Sequence, residues 1–319
     1  MIRNLAAALL LSVAAPAAQA ACLMTPEDSN FANRAIGAWS TTARQDLQLS
    51  AGERPTIVLF DQTCAYTAGP AGPVSWNGVA HGGQVKLPDG QAIPARVASF
   101  AAPFDENRKA FFVMALPSIW QGAGVDSALG LEGLMQGVLI HEMTHTRQFY
   151  YVSPRLAELT AQYGLPDDLS DDSLQAAFAK DEAYVAAYED ELGALFQALN
   201  ARSETQARAY TRQALAKMRA RRAQFFVGDN AKWAPLDDLF LTMEGLGQWA
   251  AFAWTTRGRG VDTGTAVREL RRGGRFWSQD EGLVLFLLVD RLVPDWQSRA
   301  FDPVKPALAE ELLALAAGG

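Results

Sequence analysis

Cysteine and histidine are scarce in this sequence, which has two cysteines and three histidines among 319 residues. Basic residues do not outnumber acidic ones, and the net charge of −7 at pH 7 argues against nucleic acid as a partner. Beyond the N-terminal segment no run of about 20 apolar residues occurs, so we expect no stable membrane insertion. The sequence also shows no internal repeat and no low-complexity linker.

The N-terminus has the three zones of a secretory signal peptide. Arg3 precedes an apolar run over residues 5–15, and Ala18-Gln19-Ala20 fits a cleavage site. A glutamine stands in that site where a lipidation signal has a leucine-like residue, so ordinary cleavage is expected and not a lipid anchor on Cys22. We interpret residues 1–20 as a signal peptide and expect an exported protein, periplasmic or secreted.

The two cysteines form an even pair in a chain expected to reach an oxidising compartment, where thiols pair. We therefore predict a disulfide between Cys22 and Cys64, which would tie the mature N-terminus to the first strand region. Two buried free thiols are the alternative.

Hydrophobic patterning changes along the chain from strand-like to helical. After a loosely helical segment, 26–49, Thr56–Phe60 and 110–116 are apolar runs of strand length. A Pro-Asp-Gly turn predicts a hairpin of 84–87 with 92–100. Residues 131–151 have helical spacing, and Pro154 is expected to end that helix. Further helices are predicted at 173–199, 204–225, 236–255, 265–271, 281–289 and 306–317.

This order predicts an α+β fold. Residues 21–153 would form a lobe with a small mixed sheet that ends in the helix predicted at 131–151, and residues 154–319 a mainly helical lobe. The segment 208–222 is basic, and we interpret it as a solvated helix face and not as a binding patch. No sequence feature sets the oligomeric state.

His141-Glu142-Met143-Thr144-His145 is an H-E-x-x-H pattern inside the predicted helix 131–151. Residues four apart on a helix share a face, so two imidazoles can converge on one ion. Glu142 is one step round the helix, where it can take the proton of a metal-bound water. The alternative, two core histidines, would need polar partners for both rings. We predict one Zn²⁺ per chain on His141 and His145, with Glu142 as general base.

Residues 138–146, Val-Leu-Ile-His-Glu-Met-Thr-His-Thr, resemble the active-site helix of zincin metallopeptidases. The sequence departs from that pattern at Arg147, where the family usually has an apolar residue. Residues 244–249, Glu-Gly-Leu-Gly-Gln-Trp, are similar to the Glu-Gly-x-Ala-x-aromatic segment that carries the third ligand in gluzincins, with Gly247 in place of the alanine. The resemblance implies a zincin-like fold and a zinc metallopeptidase, a hydrolase that acts on peptide or protein substrates.

The third ligand is expected to be Glu244, because no third histidine follows the pair at short spacing. Glu244 lies on an apolar helix, where a carboxylate without a cation is costly. Glycines at 245 and 247 would let this helix approach the metal helix closely. The alternatives are Glu281, Glu182 and Glu189, which also occur in apolar helical segments.

The remaining histidine, His81, lies in a glycine-flanked loop. It could contact substrate or an oxyanion, and a structural or solvated role is the alternative. A non-catalytic exported protein, which keeps the zincin scaffold and binds zinc or a substrate, is the alternative to a peptidase. The presence of Glu142 between the two histidines argues against it.

Export predicts a defined N-terminus. Because cleavage is expected after Ala20, mass spectrometry of the exported protein should show a chain that begins at Ala21. A chain that retains Met1, or one with a diacylglycerol on Cys22, would contradict this interpretation.

Overall fold

The computed structural model of the protein describes residues 22–50, 54–104, 109–166 and 168–318. The signal peptide expected at 1–20 lies outside these ranges. A small mixed sheet comes first along the chain and a mainly helical region follows it, which confirms the predicted α+β fold. Within these ranges no helix combines the length and the apolar character needed to cross a membrane.

The described strands are β1 Thr56–Phe60, β2 Cys64–Ala68, β3 Asn77–Ala80, β4 Gln84–Lys86, β5 Ala92–Pro94, β6 Ser99–Pro103 and β7 Ala110–Ala115. Five of them form one sheet in the order β3-β2-β1-β7-β6, and β4 pairs with β5. β1 runs parallel to β7, and the other neighbouring strands are antiparallel. Strands β1 and β7 are almost wholly buried, which explains their continuous apolar sequences.

Patterning predicted β1, β7 and the β4–β5 hairpin but not β2 or β3. The residues of β2 alternate between buried and half-buried, and those of β3 are mostly exposed, so neither forms an apolar run. The segment 92–100, predicted as one strand of the hairpin, is divided in two. It ends as β5 at Pro94, and a separate strand, β6, begins at Ser99 and pairs with β7 at one edge of the sheet. This edge lies against the helix that carries the H-E-x-x-H motif.

The described α-helices are α1 Pro26–Gln45, α2 Pro117–Gly122, α3 Leu131–His145, α4 Phe149–Tyr163, α5 Ser173–Phe178, α6 Glu182–Leu199, α7 Glu204–Phe225, α8 Trp233–Ala253, α9 Thr263–Arg271, α10 Trp277–Leu292, α11 Trp296–Ala300 and α12 Ala309–Ala316. A π-helical turn, Trp254–Gly258, continues α8. Helix α3 packs against α8, α1 and β6, and α8 packs against α10. The motif helix is therefore enclosed by both parts of the fold.

The prediction that Pro154 ends the motif helix is wrong. Helix α3 ends at His145, and Pro154 lies inside the next helix, α4. The chain leaves the first helix where Thr146 Oγ1 donates to the carbonyl of Met143 at 2.7 Å. Because α4 continues through the proline, the expected boundary between residues 153 and 154 falls within a helix.

A disulfide joins Cys22 and Cys64, as predicted, and excludes the alternative of two free thiols. It attaches the first described residue to the start of β2. The backbone of Cys22 lies so close to Gly78 of β3 that a Cβ there would be 2.1 Å from the Cys22 carbonyl oxygen. The N-terminal segment is thus bonded to one strand and packed on the next.

The interpretation of 208–222 as a solvated face is wrong for the end of α7. Arg221 is buried and donates to Glu191 at 2.6 Å, and Arg222 donates to Asp237 of α8 at 2.8 Å. Glu281 of α10 joins the same group at 3.4 Å from Arg221. A helical pattern of basic residues cannot distinguish exposed arginines from arginines that have buried acidic partners on other helices.

Candidate metal centre

His141 and His145 lie one turn apart on α3 and are both buried. Their Nε2 atoms are 2.9 Å apart, and the rings meet edge to face. Local helix geometry is sufficient to bring them together, because residues i and i+4 share a face. Arg147, the departure from the family pattern, lies beyond the end of α3, where a positive charge interacts favourably with the helix dipole.

Glu244 reaches the two histidines from α8. Its Oε2 is 3.1 Å from His141 Nε2, and its Oε1 is 3.3 Å from His145 Nε2. In a tetrahedral zinc site with bonds of about 2.0–2.1 Å, neighbouring ligand atoms are about 3.3–3.4 Å apart. The three side chains therefore have the donor types and the spacing of a metal site, and this buried group could hold one metal ion.

The contact between α3 and α8 depends on Gly247. A Cβ at this position would lie 2.7 Å from Nδ1 of His141, closer than side chains tolerate. This agrees with the expectation that glycine permits close approach of the two helices. Gly245 has a different neighbour, since a Cβ there would meet Phe286 and Gly282 of α10. The two glycines thus bring α8 close to one helix on each side.

Two glutamines contact the candidate ligands and a third supports one of these two, and the sequence singled out none of them. Gln148 Oε1 accepts from His145 Nδ1 at 2.8 Å, and its amide nitrogen lies 3.4 Å from the carbonyl of Met243. Gln279 donates to Glu244 Oε2 at 3.1 Å and accepts from Gln248. Such partners orient metal ligands and fix the histidine tautomer. The signal available in the sequence for Gln148 was a polar residue three positions after His145 in a segment predicted to be helical.

The three ligand side chains influence one another strongly in the metal-free protein. Burial raises the pKa of Glu244, but the charge of His145 and the hydrogen bonds from both histidines outweigh burial and hold it well below its usual range. Burial lowers the pKa of His145, yet the charge of Glu244 raises it to about 9. Burial and the charge of His145 lower the pKa of His141. At neutral pH one proton therefore resides on His145.

Glu142 and His141 share the wall of an open cavity of about 370 Å³. Burial raises the pKa of Glu142 to about 8, against the charge of His145 and a hydrogen bond from the backbone of Ala101 on β6. Part of the Glu142 side chain remains accessible. The other lining residues are Val97, Ala98, Ser99, Trp120, Leu129, Leu134, Gly137, Val138, Gln248, Ala251, Glu269, Leu270, Arg272, Phe276 and Gln279.

The structure does not bring the other three glutamates to the histidines. Glu281 is buried, but it contacts Arg221, a cation that the sequence could not pair with it. Glu182 and Glu189 are exposed on α6. Of the four candidate glutamates, Glu244 is the one whose carboxylate lies within reach of both imidazoles.

His81 is not part of this centre. Its Nδ1 accepts from the Gly83 amide at 2.9 Å, and its Nε2 lies 3.0 Å from the carbonyl of Asp61. It follows β3, which is four strands from β6 and therefore about 19 Å across the sheet. The expected contact with substrate or an oxyanion is thus not supported, and local hydrogen bonds account for this histidine.

Removal of Glu244 should weaken metal binding. Changes in residues that only orient ligands cost about 10–100-fold in affinity, so Glu244→Ala should cost on the order of 10²-fold or more for zinc. Glu189→Ala, an exposed change, should retain native affinity. Zinc would be titrated against a competing chelator after circular dichroism has shown both variants to be folded. A folded Glu244→Ala protein with native affinity would remove Glu244 from the site.

Zinc uptake should release protons at pH 7. His145, with a pKa of about 9, is protonated in the metal-free protein and must become neutral to bind a metal. Glu142, with a pKa of about 8, can release up to about one more proton when a cation lies beside it. Calorimetry in buffers of different ionisation enthalpy measures the total number of protons released on zinc binding. In the Glu142→Gln variant, which has no carboxyl group at this position, the proton from His145 is measured alone. Zinc binding by that variant without proton release would contradict the raised pKa of His145.

No protein-family model, no curated protein and no solved structure matches this chain. The functional argument therefore rests on the geometry of the centre and on the chemistry of its residues.

Proposed function

We propose that this protein is an exported zinc-dependent metallopeptidase, in which Glu142 is the general base for attack by a metal-activated water. The observation that carries the proposal is the buried group of His141, His145 and Glu244, with Glu142 beside it on the wall of an open cavity. Structural zinc sites are closed by four protein ligands, whereas catalytic sites have three and leave a position for water. Three protein donors, one of which, His141, lines an open cavity together with Glu142, support the catalytic class.

Bound zinc would lower the pKa of its water to about 7 and polarise the scissile carbonyl. Glu142 would accept the proton from that water and transfer it to the leaving amine. The pKa of Glu142 is about 8 without metal, and a nearby cation favours the carboxylate form that a base requires. Gln148 and Gln279 would keep His145 and Glu244 oriented through each cycle.

Strand β6 supports a peptide as the substrate. Its first residue, Ser99, and the preceding Ala98 line the cavity, and the backbone of Ala101 bonds to Glu142. Among the described strands none pairs with the outer edge of β6. An extended peptide could add to this edge through main-chain hydrogen bonds, which do not require a particular side chain. A peptide held in this way would lie beside Glu142.

The cavity walls support an apolar side chain beside the scissile bond. Trp120, Leu129 and Leu134 line the cavity together with Leu270 and Phe276. A bound apolar side chain would displace water from these residues and so strengthen the electrostatic interactions within the site. The disulfide is compatible with an oxidising, extracytoplasmic compartment and supports the proposed export.

Replacing Glu142 by Gln should separate chemistry from binding. The variant keeps the shape of the side chain but cannot accept a proton, so turnover should fall on the order of 10²-fold or more while zinc stays bound. The assay is cleavage of a mixed peptide library, read by mass spectrometry, with chelator-treated wild-type protein as the control.

Two other results would redirect the proposal. If Glu142→Gln kept most of the activity, Glu142 would not be the base. If the wild-type protein bound one zinc and cleaved nothing in a broad library, the non-catalytic zinc-binding alternative would replace the peptidase.

A further inference from the structure

Arg272 brings a positive charge to the cavity that His141 and Glu142 line. It follows α9 directly, and its guanidinium is close enough for its charge to influence both of these residues. The side chain is solvent-accessible, yet the surrounding atoms remove part of its hydration and lower its pKa, while Glu142 acts in the opposite sense. An arginine remains charged under these conditions.

This guanidinium has no partner among the described residues, since neither a hydrogen bond nor an ion pair joins it to them. Its neighbour Arg271 donates to Asp280 at 2.5 Å and 3.0 Å. Glu269, the other acid near it on the cavity wall, already accepts from Ser127 and from the amide of Ala128. Arginine has five N–H donors, and those of Arg272 are available to a ligand.

The backbone of Arg272 is unusual. Its φ of 48° and ψ of 38° are in the left-handed region, where glycine is the common residue after a helix. Residues with a Cβ are disfavoured there, and such outliers cluster at functional sites. The two glycines that follow also have positive φ, 71° at Gly273 and 74° at Gly274, so Arg272 is the residue with a Cβ in a run of three left-handed positions. The chain thus has an arginine side chain at a position that its backbone conformation would assign to glycine.

We propose that Arg272 binds a carboxylate of the substrate, so that the site selects peptides with a carboxylate near the scissile bond. The planar guanidinium matches a carboxylate with two parallel hydrogen bonds. A compact cavity of 370 Å³ is about 9 Å across, the length of two to three extended residues. The carboxylate therefore lies within about two residues of the bond that is cut. Leu270 and Phe276 would contact the apolar part of the same residue.

This inference rests on the proposed function for its substrate class but is tested by binding. Three peptides serve as probes. Two have the same neutral sequence and end in a free carboxylate or in an amide, and the third ends in the amide and has one residue near its end replaced by an acidic one. Their Kd values are measured by calorimetry on metal-free protein, so that zinc cannot itself attract the carboxylate.

Wild-type protein should bind at least one of the two carboxylate peptides about 10–100-fold more tightly than the neutral one, the range for hydrogen bonds to charged groups. Arg272→Met should abolish that preference without weakening the neutral peptide, and Arg272→Lys should restore part of it. Arg275→Met is the matched control, because Arg275 is exposed, lies over the ring of Phe276 and does not line the cavity. The carboxylate preference of the Arg275→Met variant should equal that of the wild type.

Folding is controlled with a glycine pair. Arg272→Gly relieves the left-handed conformation and should leave Tm unchanged or higher, whereas Arg268→Gly, inside α9 and exposed, should lower it by about 2–4 °C. Loss of the carboxylate preference in a protein as stable as the wild type would support a role in binding and not in folding.

The outcomes separate the two proposals. A preference for the free C-terminus indicates removal of C-terminal residues, a preference for the acidic side chain indicates internal cleavage, and either supports the inference. Equal binding of all three peptides, or a preference that survives Arg272→Met, would overturn it. Zinc-loaded protein that cleaves peptides but shows no carboxylate preference refutes this inference alone, whereas an Arg272-dependent preference without cleavage refutes only the peptidase.

Discussion

Glu244 is a carboxylate buried on an apolar helix, and the desolvation of its charge is the constraint that organises the centre. A buried charge is stable only when cations or hydrogen-bond donors surround it. In this fold the donors are the two imidazoles of α3 and the amide of Gln279. Without a metal, these groups offset the cost of burying the charge of Glu244. With a metal, the two imidazoles and the carboxylate would bind the ion together. Metal and proton therefore compete for one set of lone pairs.

Helix α8 is also held nearer its N-terminal end by a second buried charge group. Asp237 lies two turns before Glu244 and accepts from Arg222, and Arg221 is within 3.4 Å of it. Gly245 and Gly282 allow α8 and α10 to pack backbone against backbone. The ion pairs and this packing together fix the position of α8 along its axis and its rotation about that axis. The reach of Glu244 to α3 thus depends on contacts that belong to the helical region.

The sequence was informative where chemistry is local. His141, Glu142 and His145 occupy one helical turn, so their spacing alone defined their geometry. Glu244 required a resemblance, because no local rule relates positions a hundred residues apart. Glu281 looked similar in sequence, and its arginine partner became visible only in the packed helices. For His81 the flanking glycines did not reveal that its loop follows the strand at the far edge of the sheet.

The contact at Gly247 has an evolutionary consequence. Even a methyl group at this position would press on the imidazole of His141, so α8 and α3 would have to move apart to accept it. Among descendants of this chain, a change at 247 could therefore alter the candidate metal centre while Glu244 and the H-E-x-x-H pattern stayed the same.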